Sequence, residues 1–475
     1  MEEFERLFAK TRPAFTQERT FSRSRILALS SLVSLGRRTI SGLLCTSAQQ
    51  FKDWSAAYRL FAKERYDREA LFTPARQAVL DQLKTDEPLV VMMDDTLIHK
   101  RGRNIPGTGW KRDPLGPHFC TNFVWGQRFL QVAAALPDKK CAGRACSIPI
   151  NFIHAPSAKK PGKRSSVEEW SEYRKQQKQM KVSSIGAQSL KNLRVQVDSD
   201  VKRQGQKIIC AVDGGFTNQT VLRDLPEHTT AIGRIRKDAK LFSPPSPQNT
   251  PRRGRTRWYG AALPTPEQIR QDDSIPWQQV EAFAAGKRHI FDVKIITSAR
   301  WVGTGHCTVQ IVVIRPLAYR LRNGSKLLYR NPAYLICTDQ ELPIEKLLQS
   351  YLWRWEIEVN FRDEKTLLGV GEAQVRTPES VENVPAFIVA AYAFLLLAGT
   401  YNDADKTKAL PRPKWQQPKP DERQSTQRII GLFRSQLWDK AMMMNLTHFA
   451  SENQTDTKPV LLENSLTTAV CYAAK

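Results

Sequence analysis

LVVMMDDT, residues Leu89–Thr96, and KIICAVDGGFTN, residues Lys207–Asn218, decide the fold between them. The first is an apolar run of five residues closed by Asp94 and Asp95; the second carries Ile208–Val212 into Asp213. Unbroken apolar runs, as opposed to alternating ones, are expected of strands buried on both faces, and an acid at the end of each opens that end on a site. Two such strands set among helical stretches predict an α/β protein.

Outward from these strands, residues 1–85 read as helical throughout. ILALSSLVSLGRRTISGLL and DWSAAYRLFAKERYDREALFTPARQAVLDQL space their apolar residues at three- and four-residue intervals, with Arg23, Arg25, Arg37, Arg38, Arg59, Lys63, Arg65 and Arg68 between them. A solvated helix face explains those cations plainly; a helical DNA-gripping domain explains them more sharply. HFCTNFVWGQRFLQVAAAL predicts two strands with a turn near Gly126 and Gln127, and the basic stretch from Ala158 to Lys207 predicts exposed helix. Residues 228–340 hold short β-like runs (AIGRIR, HIFDVKII, CTVQIVVIR, AYLIC) separated by turn residues. Helix resumes at ELPIEKLLQSYLWRWEIEVNFRDEKTLLGV. VPAFIVAAYAFLLLAGT, Val384–Thr400, falls short of the ~20 residues that span a bilayer and reads as a buried core helix. The proline-rich ALPRPKWQQPKPDE and a last helix around TQRIIGLFRSQLW follow.

The chain has 475 residues, 72 Lys and Arg against 47 Asp and Glu, and a formal charge of +25. With 41% hydrophobic residues it can bury a large core, so the charge belongs to a folded protein and points to a polyanion, nucleic acid first and an anionic membrane second. The start MEEFERLFAK has no apolar segment of the kind that directs secretion, and the eight cysteines include no CxxC pair, as expected in a reducing cytoplasm. Cys141, Cys146 and His154 match no standard zinc spacing.

Three acids stand out by position: Asp95 after the first strand, Asp213 after the second, and Glu358 in the helix that follows the β-rich stretch. Hard carboxylate oxygens gathered from two strands and a helix suit Mg²⁺, and two such ions 3.5 to 4 Å apart would stabilise both the attacking and the leaving oxygen of a phosphoryl transfer. Any one of these acids alone could merely cap a strand or pair with an arginine. In the helix, Tyr351, Arg354, Glu358 and Lys365 are 3, 4 and 7 residues apart, within an arc of about 60° on one face. That face offers a carboxylate flanked by groups that grip phosphate, or else an ordinary i,i+4 ion pair of Arg354 with Glu358.

The spacing Y-x2-R-x3-E-x6-K in YLWRWEIEVNFRDEK resembles the YREK signature of DDE transposases of bacterial insertion sequences, and MMDDT, CAVDGGFTN and the long β-rich interval before Glu358 agree with it. The resemblance covers about residues 20–400. It implies a ribonuclease-H-like mixed sheet core with a β-rich insertion, an all-helical N-terminal domain and a helical C-terminal segment. The division expected is 1–85, helical and DNA-binding; 86–225, the first part of the core with two catalytic aspartates; 226–340, the insertion; 341–402, core helices with the catalytic glutamate; and 403–475, linker and C-terminal helix. It further implies cut-and-paste transposition on the element's terminal inverted repeats and target DNA, a homodimer on DNA in the bacterial nucleoid, and two Mg²⁺ ions, with Mn²⁺ as a substitute. Asp95, Asp213 and Glu358 would be catalytic and metal-binding, with Tyr351, Arg354 and Lys365 on phosphate. Alternation lets only one of Asp94 and Asp95 face the site, and the family's aspartate-threonine pair favours Asp95.

The loop HKRGRNIPGTGWKRD adds Lys100 and Arg103 as phosphate contacts, and PRRGRTRWYG adds Arg255 and Arg257. Gly102 and Gly107 have the interval of a phosphate-binding loop, but no Lys-Ser/Thr follows, so no nucleotide cofactor is implied. Trp258 and Trp301 are candidates to stack on a flipped base, as the family does with an aromatic of its insertion; a buried sheet tryptophan is the commoner explanation. The competing functions are a non-catalytic transposase-derived DNA-binding protein and a structure-specific nuclease.

Overall fold

In a computed structural model, the apolar run at Leu89 becomes strand β1 (Leu89–His99), preceded by helices α1 (Glu2–Ala9), α2 (Glu18–Val33), α3 (Ile40–Thr46), α4 (Ser55–Ala62) and α5 (Arg68–Leu80). The structure describes the chain apart from residues 48, 50–52, 114–115, 117–118, 246–256, 321–323, 403–412, 417–422 and 447–475. β2 (Gly109–Arg112), β3 (Phe123–Pro137), β4 (Ala145–His154), α6 (Val167–Gln179), α7 (Val182–Asp198), β5 (Ile208–Val212), α8 (Gln219–Leu222) and β6 (Thr229–Arg234) follow. Next come β7 (Leu241–Phe242), β8 (Ala262–Leu263), α9 (Pro266–Gln271), β9 (Gln278–Ala284), β10 (Lys287–Trp301), β11 (Thr308–Ile314), β12 (Ala318–Tyr319), β13 (Leu328–Tyr329) and β14 (Ala333–Cys337). The chain closes with α10 (Ile344–Trp353), α11 (Trp355–Thr366), α12 (Pro378–Asn402) and α13 (Thr426–Leu446).

β1 runs antiparallel to β3 and parallel to β5; β3 also pairs antiparallel with β4, and β5 parallel with β6. The order β4-β3-β1-β5-β6 is a mixed sheet compatible with a ribonuclease-H-like core. β14 adds to β6, then β11 and β10 follow, so the β-rich stretch extends the same sheet to 12 strands. A lone hairpin is marginal in water, and pairing with the edge of β6 gives the inserted strands a sheet to join.

Alternation along β1 sorts its side chains between two cores. Leu89, Val91 and Met93 pack on one face with Ile208, Cys210 and Val212, in a cluster that takes in α1, α2, α4, α5, α7 and α12. Val90 and Met92 pack on the other face with Ile209 and with Leu347, Leu348, Ile357 and Phe361 of α10 and α11. The N-terminal helices have no core of their own: the first cluster runs unbroken from Phe4 to Phe433 around α12. Phe387 of α12 sits at its centre, with ring centroids 5.3 Å from Phe61, 6.2 Å from Tyr66 and 6.4 Å from Phe8. At 25 residues α12 is longer than its apolar run and could span a bilayer by length and composition, yet 89% of its most apolar window is buried inside the protein. α13 packs on α12 and α2, burying Ile429, Ile430 and Phe433.

One strand stands where the sequence suggested two. β3 runs through Gly126 without turning, because Gly126 is paired on both sides, with His99 of β1 and Gly109 of β2. A Cβ there would lie 2.4 Å from the Ile98 carbonyl oxygen, so the glycine marks close backbone approach. Gly126→Val is expected to lower the unfolding free energy by roughly 1–3 kcal/mol through overpacking, read as a lower urea midpoint at unchanged slope.

Candidate active site

The two aspartates of β1 lie in mid-strand, not at its end. β5 stops at Val212, opposite Met93, while β3 carries the ladder of β1 on to His99. Asp94 and Asp213 therefore leave the β1–β5 pair side by side. Asp94 follows the even residues of β1 toward α10 and α11, where its Oδ2 lies 3.2 Å from Nη1 of Arg354 and its Oδ1 accepts the Asp95 N–H at 2.8 Å. Burial, then the neighbouring Asp213 carboxylate, push its carboxyl up to about 8; Arg354 opposes the shift and Glu358 adds to it.

Asp213 is held by the turn that ends β5. Its Oδ1 accepts the N–H groups of Gly215 at 2.8 Å and Phe216 at 3.3 Å, and its carbonyl accepts the Thr217 hydroxyl at 2.7 Å. The glycines of DGGF leave this carboxylate solvent access, since Gly214 and Gly215 are exposed.

Glu358 stands in the first turn of α11, half-buried, with Oε1 3.5 Å from Nη1 of Arg354. Arg354 joins α10 to α11 with helical dihedrals, so the expected single helix is two nearly continuous ones and the face is preserved. Its guanidinium bridges Asp94 and Glu358 and lies 5.9 Å from the Tyr351 ring centroid, while its buried Nε has no hydrogen-bond partner. Lys365, exposed at the far end of α11, experiences the charges of Glu364 and Glu358.

Asp95 points the other way. Alternation sends it to the α7 and α12 face, where Oδ2 is 3.2 Å from Nε of Arg128, an arginine two positions along β3 from the Leu130 that faces Asp95. Burial raises its carboxyl, Arg128 counters the rise and Asp213 adds to it, so Asp95 too feels the Asp213 charge. It is Asp94, not the expected Asp95, whose carboxylate reaches Arg354 and through it Glu358.

Among the described residues, no three His, Cys, Asp or Glu side chains stand near enough together to bind a metal ion as they are placed. Arg354 occupies the space between two of the three acids. The donor set nonetheless fits a hard divalent cation, because Asp94 is a desolvated carboxylate beside two others with one arginine as counter-charge. The Cys141, Cys146 and His154 grouping forms no such site either: Cys146 is buried, and His154 Nδ1 lies 3.4 Å from Glu382.

The supporting residues divide. Lys100 is turned inward, Nζ donating to the Gly371 carbonyl at 2.7 Å, and burial lowers its amine to about 8, so it ties the loop to the segment after α11. Arg103 is exposed and lies over two indoles. Arg255 falls outside the described residues; Arg257 is exposed. Trp258 is half-buried, edge-on to His306 at 5.9 Å, its carbonyl accepting from Arg300. Trp301 packs against two core clusters, and its ring lies so close to Gly303 that a Cβ there would overlap it. It is half-buried, with part of its ring committed to the core.

Two residues near the site went unread in the sequence. Arg128 and Gln131 break the apolar run of β3, and a charged or amide group in a strand buried on both faces is the signal that could have found them. Gln131 lies opposite Asp94 across the ladder. Glu364, fully buried beside Gln131, has its carboxyl pushed up to about 8 by burial. Glu356 is taken up by Arg423 at 3.0 Å.

A family model described as DDE superfamily endonuclease matches residues 11–301, which takes in Asp94 and Asp213 and ends before Glu358. No curated protein matches the chain. The matched family implies DNA as substrate and a divalent-metal-dependent, nuclease-type enzyme. With more than half of its length matched and two buried, paired strands setting Asp94 and Asp213 side by side in a mixed sheet, the chain belongs to the DDE superfamily endonucleases.

Proposed function

We propose that the chain is a DNA transposase of a bacterial insertion sequence, acting in the cytoplasm at the nucleoid as a homodimer assembled on the element's two ends. The observation that carries this reading is the convergence of Asp94, Asp213 and Glu358 on the α11 side of the sheet around Arg354. These three carboxylates are the residues to hold two Mg²⁺ ions. Bound there, the ions would supply Lewis-acid stabilisation of charge on the attacking and leaving oxygens.

The chain's own groups position the DNA. Asp213 is pre-set by two backbone N–H bonds, so one carboxylate oxygen stays free toward the site. Arg354, poised between carboxylates, has remaining donors for the scissile phosphate, with Tyr351 beside it and Lys365 farther along α11 for a neighbouring phosphate. Hydrolysis of a phosphodiester at the element's end leaves a 3′ hydroxyl. In joining, that oxygen bonds to a target phosphorus and displaces the target's own 3′ oxygen, so no covalent enzyme intermediate is needed.

The test is incubation with Mg²⁺ and DNA carrying the inverted repeats that flank the gene. Strand cleavage at the repeat boundary, lost in Glu358→Gln, is the expected outcome. Binding without cleavage would identify a non-catalytic DNA-binding protein, and cleavage indifferent to the repeats a nuclease.

A further inference from the structure

β2 and the start of β3 form a ribbon that reaches past the end of the β1 ladder. Trp110 pairs with Trp125 and Arg112 with Phe123, so these four side chains share one face; Lys111 and Val124 take the other. Lys111 is buried there against the Ser157 hydroxyl. The first face is open: Trp110 is 57% and Phe123 56% exposed, and Arg112 is exposed beside them.

The face is also built. The two indoles meet edge to face at 5.6 Å, and the Trp125 Nε1–H donates to the Gly102 carbonyl at 3.0 Å, fixing that ring. The Arg103 guanidinium lies 5.2 Å from the centroid of Trp110 and 4.9 Å from that of Trp125. From His99 to Arg112 there is no Asp or Glu, against five Lys and Arg. Leaving large rings in water forgoes the free energy of burying them, and a packing role does not account for it.

Rings with open faces among guanidinium groups match one chemistry closely: a nucleobase stacks on an indole or phenyl while the phosphates on either side meet arginine. A paired duplex hides its base faces, so the complement is an unpaired strand. Along β1 the ribbon is close to the acids. Lys100, whose N–H donates to the Trp125 carbonyl, is six residue steps from Asp94; at ~3.3 Å per residue that is about 20 Å, or some six nucleotide steps of 3.4 Å.

We propose that this face is a platform for unpaired DNA, with Trp110 and Phe123 stacking on bases and Arg103 and Arg112 holding the phosphates between them. It rests on the reading that DNA lies at Asp94, but its test requires no cleavage. Full-length protein in EDTA is titrated, by fluorescence anisotropy, into a single-stranded oligonucleotide, a duplex with a single-stranded tail, and a blunt duplex. Trp110→Ala is expected to weaken binding to the first two by about tenfold or more, the scale of one lost base stack, and to the blunt duplex by less than about twofold. Trp110→Phe keeps most of the affinity. A 2-aminopurine placed in the tail is quenched by the wild type and brighter with Trp110→Ala.

Equal losses on tailed and blunt DNA, or no loss on either, overturn the platform, as does a wild type that binds no single strand. A wild type that binds single strands as described but never cleaves with metal overturns the transposase reading and leaves the platform standing.

Discussion

Asp94→Asn lowers the rate of DNA cleavage about 10³-fold or more, whereas Asp95→Asn leaves it within about tenfold. The two residues are adjacent and chemically identical, so the contrast depends only on the side of the sheet each one faces. Asp94 faces α11, 3.2 Å from Arg354 and next to Asp213; Asp95 faces the opposite core and pairs with Arg128. Removing a ligand of catalytic metal withdraws several kcal/mol of charge stabilisation, and ~4 kcal/mol is about a thousandfold in rate. Loss of the Asp95–Arg128 pair removes an ion pair on the opposite face of the sheet and leaves the Arg354 contacts in place. Single-turnover cleavage of an end-bearing DNA, with binding measured separately in EDTA, checks this. Equal defects in the two variants would mean that the sidedness of β1 is wrong.

Phe387→Ala is expected to cost about 3–5 kcal/mol of stability. The ring is fully buried and touches Phe8, Phe61 and Tyr66, which belong to three different N-terminal segments. Polar bonds tie the same region together: the Tyr66 hydroxyl donates to the Asn383 carbonyl at 2.9 Å, and the Asn383 amide donates to the Phe61 carbonyl at 2.8 Å. Because these helices have no other core, the variant should lose protease resistance in residues 1–85 at the same urea concentration at which the sheet core melts. A folded fragment of residues 1–85 surviving that transition would contradict the continuous core.

The parts of the fold that were legible in the sequence are those whose signal is local. β1 and β5 are uninterrupted apolar runs because both of their faces are covered, and α12 is apolar all round because helices and strands enclose it. The resemblance to DDE enzymes was legible for a similar reason, since the spacing of Tyr351, Arg354, Glu358 and Lys365 lies within fifteen residues and the aspartates of MMDDT and CAVDGGFTN within short runs of their own. What stayed open was set by partners far away in the chain. Whether Asp94 or Asp95 faces the site depends on register with β5 and on Arg354, 260 residues distant. Gly126 reads as a turn until its two flanking strands are known, and Lys100 reads as a free cation until the carbonyl of Gly371 is seen to hold it.

The most direct test of the account is a count of Mn²⁺ bound in the presence of end-bearing DNA, by electron paramagnetic resonance of the free ion, for the wild type, Asp94→Asn and Asp95→Asn. The account predicts about two ions per chain for the wild type and Asp95→Asn, and fewer for Asp94→Asn. Full occupancy in Asp94→Asn, with loss in Asp95→Asn, would contradict it.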